Sequence, residues 1–313
     1  LEVGAPHRPA ALEPAWVAAL TARLPGTGFL CGTRSITTAG LDTAAAQSEL
    51  ALAKGLGREG AWPFRVADDP ATGAAVALAA PDGSEVEDYA LGAALADADR
   101  LCVLTPVRPH PHLGLRGALT SLGIGLADRE AKIALHRDVR PAVDTPLCAG
   151  CGVCMTVCLF DAIRISAGRA YIDHERCTGC GECMNVCFMA GIAPEAATGI
   201  AGFQAKVADA AALALARMTG GDPSRSVHFS FLMHLDRQVA ATRRRRRAGG
   251  GGDIGVLASR DPVALDQAAW DLLADRHGGD LSVWSGFNQL PEALLARAAA
   301  NGLGERAHRL VTV

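Results

Sequence analysis

Eight of the ten cysteines in this 313-residue chain lie in two short runs whose spacing suits metal chemistry. The first run is CAGCGVCMTVC at 148–158, and the second is CTGCGECMNVC at 177–187. Both read C-x2-C-x2-C-x3-C, so each cysteine recurs 29 residues later, and we interpret the runs as an internal duplication. Thiolates at this spacing, on tight turns that contain glycine, can reach the corners of one iron–sulfur cube. The runs therefore predict two [4Fe–4S] clusters and chemistry by single electrons.

The fourth cysteine of each run is expected to bind the cluster of the other run. In two-cluster ferredoxins a fourth cysteine at this position ligates the other cluster, and we expect Cys158 and Cys187 to do so from the start of a helix. The predicted ligand sets are Cys148, Cys151, Cys154 with Cys187, and Cys177, Cys180, Cys183 with Cys158. Leu159 and Phe188 replace the proline that usually follows the fourth cysteine, which bears on the loop geometry and not on cluster binding.

A zinc site and structural disulfides are the alternatives for these cysteines. Zinc ribbons use two well-separated CxxC pairs, whereas here three cysteines lie at i, i+3 and i+6 with a fourth four residues further on. No basic segment followed by an apolar one begins the chain, which favours a reducing cytoplasm, where grouped cysteines bind metal more often than they form disulfides. Cys31 and Cys102 have no partner at such a spacing, and we interpret them as core thiols.

A second segment with chemical potential precedes the cysteines, RPHPHLGLRGALTSLGIGLADREAKIALH at 108–136. Its glycines permit close approach of the backbone to a ligand, and its basic side chains favour an anion. The pocket that we predict is formed by Arg108, His110, His112, Arg129, Lys132 and His136. In the alternative reading the glycines only shape turns, and the histidines are solvated or hydrogen-bonded to backbone. The segment contains neither a P-loop nor a strand-flanked GxGxxG.

The residues on either side of the cysteines have the pattern of an α/β protein. Apolar strands are predicted at 75–83, 101–107 and 226–235, and helices at 10–24, 85–99, 203–218 and 291–300. A strand should end at Ser259, with Asp261 as N-cap and Pro262 at the first position of a helix. HRLVTV is predicted to close the chain as a strand, and His228 and His234 are read as core or edge histidines of their strand.

We therefore predict an α/β host domain with an inserted bacterial-type dicluster ferredoxin (α+β) module. The host occupies residues 1–144 and 194–313, and the two-[4Fe–4S] module occupies residues 145–193.

Charge and composition exclude several classes of partner. A net charge of −3 and an aromatic content of 4% give no reason to expect nucleic acid. No apolar run approaches the roughly 18 residues needed to cross a bilayer. The run RRRRR, Arg243–Arg247, reads as a solvated loop beside four glycines, and the alternative is a docking patch for an acidic redox partner.

Three blocks of the sequence together resemble a known family. The segment 108–136, the double cysteine run and DIGVLASRDPVALDQAAWDLL at 253–273 occur in the order typical of the ferredoxin-containing branch of the domain-of-unknown-function 362 (DUF362) proteins. Where that family usually carries a Lys-Asn pair, this chain has Thr120 and Ser121, and Arg108 stands where a lysine is expected. If the family's host domain binds a substrate through those groups, the replacements predict that this activity is altered or lost here.

The expected function is one-electron transfer through two [4Fe–4S] clusters, to or from a partner protein or the chain's own α/β domain. One alternative is an iron–sulfur oxidoreductase that acts on a small anionic substrate in the Gly/His/Arg-lined pocket. The other is a non-redox interaction module in which the clusters are structural.

Overall fold

The computed structural model describes residues 12–37, 41–58, 61–195, 199–235, 252–279 and 289–312. Within these ranges the protein is mixed α/β, with several two-stranded sheets around one three-stranded sheet. The strands are β1 (Leu30–Gly32), β2 (Phe64–Val66), β3 (Val76–Leu78), β4 (Tyr89–Leu91), β5 (Leu101–Pro106), β6 (Arg108–His110), β7 (Gly114–Arg116), β8 (Pro141–Val143), β9 (Ile163–Ser166), β10 (Arg169–Ile172), β11 (Ile192–Pro194), β12 (Ser226–Leu232) and β13 (Gly255–Ser259). The α-helices are α1 (Pro14–Thr21), α2 (Ala44–Ala53), α3 (Ala118–Gly123), α4 (Arg129–His136), α5 (Glu182–Val186), α6 (Ile200–Thr219), α7 (Pro262–Arg276) and α8 (Glu292–Ala300).

The three-stranded sheet has the order β13–β12–β5 and is covered on both faces. Strand β12 runs parallel to β5 and antiparallel to β13. Because side chains alternate across a strand, Val103 packs with helices α3, α6, α7 and α8 on one face, while Leu104 and Phe231 pack with α1, α2 and β1 on the other. The central strands are therefore apolar on both sides, as a three-layer arrangement requires.

The unit around 253–273 forms as its sequence predicts. Strand β13 ends at Ser259, and α7 begins at Pro262. Asp261 accepts from the backbone N–H of Ala264 at 2.8 Å as the N-cap, and its second oxygen accepts from the N–H of Glu305 at 2.8 Å. One carboxylate thus caps the helix and also fixes the C-terminal segment.

We expect Asp261→Ala to lower the free energy of unfolding by about 2 kcal/mol, because it removes both the cap and the tie to Glu305. Asp222→Ala is the matched control, since Asp222 caps only the short 3-10 helix Pro223–Arg225. Urea denaturation followed by circular dichroism measures both variants, and equal losses in the two would contradict this role for Asp261.

Two of the predicted elements were wrong. The helix expected over 85–99 is instead β4 and a 3-10 turn, Ala93–Leu95. Tyr89 and Leu91 alternate into the core, and Gly92 lies so close to the backbone of Ala67 that a side chain would not fit. The strand expected over HRLVTV is absent from residues 308–312, where Leu310 and Val311 are exposed and no burial drives pairing.

Outside the cysteine runs, the other predicted elements that lie in the described ranges agree with the structure at least in part. Helices α1, α6 and α8 lie within or around their predicted ranges, and β3, β5 and β12 do the same. His228 is fully buried on β12, and His234 follows that strand and stacks on Trp16 with 5.7 Å between ring centroids. Arg243–Arg247 lie outside the described residues. Among the described helices, none combines the length and the apolar character that crossing a bilayer needs.

The cysteine-bearing segment begins and ends at one pair of strands. Strands β8 and β11 pair antiparallel, so its two ends lie side by side. Between them lie the 3-10 helix Val153–Val157, the β9–β10 hairpin and α5. A small core of its own includes Ile163, Ile172 and Ile192 together with cysteine side chains.

Candidate metal centre

The two cysteine runs repeat each other in backbone conformation as well as in sequence. Gly150 and Gly179 have φ of 63° and 73°. Asp161 and Ala190, which are also 29 residues apart, have φ of 46° and 51°, which is unusual for residues with a side chain. The duplication is therefore structural, with each half wrapping its cysteines along the same path.

Cys158 and Cys187 follow a helical turn, so the expectation that they start a helix was wrong. Cys158 comes directly after the 3-10 helix Val153–Val157, and Cys187 comes directly after α5. The turn forms earlier than expected because Gly152 and Gly181, both left-handed, begin it. Past each turn a backbone N–H donates to the sulfur four residues before it: Ala162 to Cys158 at 3.4 Å, and Gly191 to Cys187 at 3.2 Å.

Two cavities of similar size lie in this segment. The inner cavity has about 340 Å³ of space that no atom fills, open solvent included, and the cysteines in its lining are Cys158, Cys177, Cys180 and Cys183. The outer cavity has about 350 Å³ by the same measure, and the cysteines in its lining are Cys148, Cys151, Cys154 and Cys187. Each cavity thus takes three cysteines from one run and the fourth from the other, and so brings together the members of one predicted ligand set.

The thiols in these cavities influence one another electrostatically. Burial raises the pKa of Cys180 to about 12 and also raises the pKa of Cys183. Burial, followed by the neighbouring thiols Cys151 and Cys187, raises the pKa of Cys154. Backbone N–H groups, first that of Ala170 at 3.3 Å, lower the pKa of Cys148. Metal binding at Cys154, Cys180 and Cys183 must therefore release protons.

The loop of the inner cavity lies against residues that precede the cysteine-bearing segment in the chain. Nε2 of His112 is 2.9 Å from the carbonyl oxygen of Gly179. A Cβ atom on Gly179 would overlap the carbonyl oxygens of His136 and Val139, so only glycine allows this contact. Arg129 pairs with Glu130 at 3.2 Å, and its guanidinium lies 5.9 Å from the ring centroid of Phe160, which lines the inner cavity.

The outer cavity differs from the inner one in its lining. Cys151 is exposed, and no charged side chain lines this cavity. Within the described residues, no group of three or more His, Cys, Asp or Glu side chains converges closely enough to hold a single metal ion.

Three of the predicted pocket residues meet around one aromatic ring beside the inner cavity. The imidazoles of His110, His112 and His136 lie 6.5, 5.6 and 4.8 Å from the ring centroid of Phe203. Burial lowers the pKa of His112 to about 3 and that of His136 to about 4, and lowers the pKa of His110 well below its ordinary value. All three are therefore neutral at pH 7 and bring no charge to an anion.

Hydrogen bonds assign the ring protons of these histidines. The backbone N–H groups of His112 and Leu113 donate to Nδ1 of His110, both at 3.2 Å, so its proton is on Nε2. The carbonyl of Gly179 accepts from Nε2 of His112, and the carbonyl of Lys132 accepts from Nδ1 of His136 at 2.7 Å. These are bonds to backbone, as the alternative reading of this segment expects.

The predicted basic residues do not all join the histidines. Lys132 is buried and donates from Nζ to Thr33 and, at 2.7 Å, to the carbonyl of Arg34, so it ties α4 to the loop after β1. Arg108 pairs in register with Arg116 across the β6–β7 hairpin. Sequence reasoning did not single out Arg116, whose charge lowers the pKa of both His110 and His136 after the larger effect of burial. The signal that could have found Arg116 is the hairpin itself. A turn ending at the left-handed Gly114 places Arg116 opposite Arg108.

Asp266 is a second residue that the sequence did not reveal. It is buried on α7 and accepts from the backbone N–H groups of Ala118 and Leu119 at 2.6 and 2.9 Å. A Cβ atom on Gly117 would overlap its carboxylate. Asp266 thus fixes the glycine-rich turn before α3, and burial raises its pKa to about 7.

We expect this carboxyl to make the stability of the host depend on pH. Its ordinary pKa is 3.8, so between about pH 4 and 7 the folded protein binds more protons than the unfolded chain. The free energy of unfolding is therefore highest below about pH 4 as far as this group is concerned, and falls as the pH rises to about 7. Denaturation of wild type and Asp266→Asn across this range checks the sign, because the asparagine variant should lose less stability; an identical pH dependence would contradict it.

Comparison with known proteins finds a family match. The sequence model of the family described as Domain of unknown function (DUF362) matches residues 2–271. No curated protein and no solved structure matches the chain.

Proposed function

We propose that this chain, which belongs to the DUF362 family, transfers single electrons through two [4Fe–4S] clusters. In this proposal residues 145–193 form a dicluster ferredoxin module inserted in the α/β host, which places the chain in the ferredoxin-containing branch of the family. The ligands are Cys148, Cys151, Cys154 and Cys187 for the outer cluster, and Cys158, Cys177, Cys180 and Cys183 for the inner cluster.

The observation that carries the proposal is the crossed lining of the two cavities. A zinc ion needs its ligands to converge on one point. In a [4Fe–4S] cube each iron takes its own cysteine, so the thiolates surround a volume. Four cysteines line each cavity and surround its space, which supports the second arrangement.

The surroundings of the sulfurs also fit this group. Left-handed glycines let the backbone wrap closely: Gly150 lies against the carbonyl of Gly168, and Gly179 against that of Val139. Backbone N–H groups donate to the sulfurs of Cys148, Cys158, Cys177 and Cys187 at 3.2–3.4 Å. Such bonds stabilise thiolate charge and set the potential of a bound cluster.

When bound, the clusters supply the redox chemistry by each accepting and releasing one electron. The residues of this chain hold the sulfurs in place and exclude water. Cys154 and Cys183 are the most buried of the eight cysteines, at 8% and 7% exposure, and Cys154 is close enough to Cys183 to contribute, after burial, to the raised pKa of that thiol. The two cavities therefore adjoin, which suits passage of an electron between them.

Anaerobic purification with iron and sulfide analysis tests the proposal. We expect about eight irons and eight sulfides per chain, and an electron paramagnetic resonance signal after reduction with dithionite. Stoichiometric zinc without sulfide would overturn the proposal. Clusters that cannot be reduced at any accessible potential would favour the structural-module alternative.

An oxidoreductase acting on a small anion is a second candidate, and one contact favours it. His112 joins the inner cavity to the histidines around Phe203, where Arg116 contributes positive charge. Hydrogen exchange of the reduced protein tests this candidate. A small anion such as phosphate or acetate that slows the exchange of backbone amides at residues 108–136 would support it. A docking patch at Arg243–Arg247 stays a prediction from the sequence.

A further inference from the structure

We propose that the rim of the outer cavity is the docking face for a small acidic electron-transfer protein. The inference rests on the proposed function, because it assigns the entry point of the electron. Five large apolar side chains around this cavity are exposed, at 37–43%, and together we call them the collar: Leu147, Val153, Met155, Phe188 and Met189.

The two cavities differ in what covers them. Pro111, His112 and the backbone of Val139 lie against the loop of the inner cavity. The outer cavity has an exposed cysteine, Cys151, in its lining. Because the rate of electron transfer falls steeply with distance, a partner reaches the outer set of cysteines far more readily than the inner one.

The collar residues line the outer cavity or are next in the chain to cysteines that line it, and they have the composition of an interface. Val153, Phe188 and Met189 line one cavity, and Gly191 lies against the backbone of Leu147 and Cys148, which brings the two loops together. Exposed apolar side chains that are grouped in this way mark interaction sites. Methionine and aromatic residues are enriched there, and methionine adapts to partners of different shape.

The charges beside the collar specify an acidic partner. Arg169 is next to Ala170, whose N–H bonds to Cys148, and it is exposed. Arg164, on the same hairpin, is also exposed and lies 4.2 Å from the ring centroid of Tyr171, while one exposed carboxylate, that of Asp144, accepts from the N–H of the collar residue Leu147 at 3.4 Å. Asp161 pairs with Arg176 at 3.9 Å on the side of Cys158, that is, toward the inner cavity. Two arginines against the one carboxylate of Asp144 leave a net positive flank, which on a chain of net charge −3 orients an acidic protein toward the collar.

Stopped-flow reduction by flavodoxin hydroquinone, a small acidic one-electron donor, tests the proposal. In each transfer the flavin hydroquinone loses one electron to become the semiquinone, and one oxidised cluster gains it. Met155→Glu combined with Met189→Glu places two negative charges in the collar, and Leu52→Glu on α2 is the control, at 50% exposure and outside the cysteine segment. We expect the double variant to lower the second-order rate by about tenfold or more and the control to leave it unchanged.

Reduction by dithionite and the salt dependence separate the docking face from the clusters themselves. Dithionite should reduce all three proteins equally, and Arg169→Glu should lower the flavodoxin rate most at low salt. A wild-type rate in the double variant overturns the docking face but leaves the clusters in place. The wild type could also be a dimer that becomes monomeric in the double variant while the flavodoxin rate stays unchanged. That result would overturn the docking face for an acidic partner and would mean that a second copy of this chain covers the collar. Wild-type protein without reducible clusters overturns the proposed function itself.

Discussion

Replacing Cys158 by alanine should remove the inner cluster and leave the outer cluster in place. Cys158 belongs by sequence to the first run, yet it lines the cavity of the second. Iron content should therefore fall from about eight to about four per chain. Alanine is preferred to serine here, because a serine oxygen can itself bind iron.

Double variants identify which cluster is lost. Cys158→Ala with Cys177→Ala should lose no more iron than either change alone, because both side chains line the inner cavity. Cys158→Ala with Cys148→Ala should lose nearly all iron, because Cys148 lines the outer cavity. This is the non-additivity expected of groups that act as one unit. If the ligands were not crossed, the two double variants would exchange results.

The rate of iron removal by a chelator gives an independent control. In Cys158→Ala the remaining cluster is the outer one, where Cys151 is exposed. In Cys187→Ala the remaining cluster is the inner one, which lies against His112. The chelator should therefore strip Cys158→Ala faster than Cys187→Ala, and the reverse order would contradict the assignment.

What the sequence predicts well is what a few neighbouring residues determine. The cap at Asp261 and the start of α7 at Pro262 depend on contacts within one turn, and both are confirmed. The helix predicted over 85–99 was wrong because this segment is set by a contact distant in the chain, the close approach of Gly92 to Ala67, and Tyr89 and Leu91 are buried there as strand residues. Helical propensity is a weak prior when tertiary packing decides.

The environment of the candidate site was not predictable in the same way. Cysteine spacing is local, and the path of each run follows from its left-handed glycines. Which cavity faces the host depends on residues about 40 positions or more away in the chain, such as the contact of Gly179 with Val139. Asp266 reaches Ala118 across nearly half of the chain, and no periodicity reports such a contact. The two cavities were therefore indistinguishable in the sequence, although the loop of one lies against His112 and Val139 and the lining of the other contains the exposed Cys151.

Gly179→Ala should cost far more than the same change at Gly152, which tests the contact between the inner cavity and the host. Both glycines are left-handed, with φ of 73° and 76°, so alanine carries a similar backbone penalty of about 1–2 kcal/mol at each position. At Gly152 the new Cβ meets nothing within 4 Å. At Gly179 it would overlap the carbonyl oxygens of His136 and Val139, so the loop must withdraw from the host.

The withdrawal should also break the bond between His112 and the carbonyl of Gly179. We expect Gly179→Ala to lower the free energy of unfolding by at least about 4 kcal/mol, which is in the range reserved for strain and severe overpacking. It should also make the inner iron as accessible to a chelator as the outer iron, whereas Gly152→Ala should leave the inner iron protected. Denaturation and chelator kinetics on the two variants measure both effects. If Gly179→Ala destabilised no more than Gly152→Ala and kept its inner iron protected, the host would not be closing that cavity, and the entry of electrons from the outer side alone would lose its structural reason.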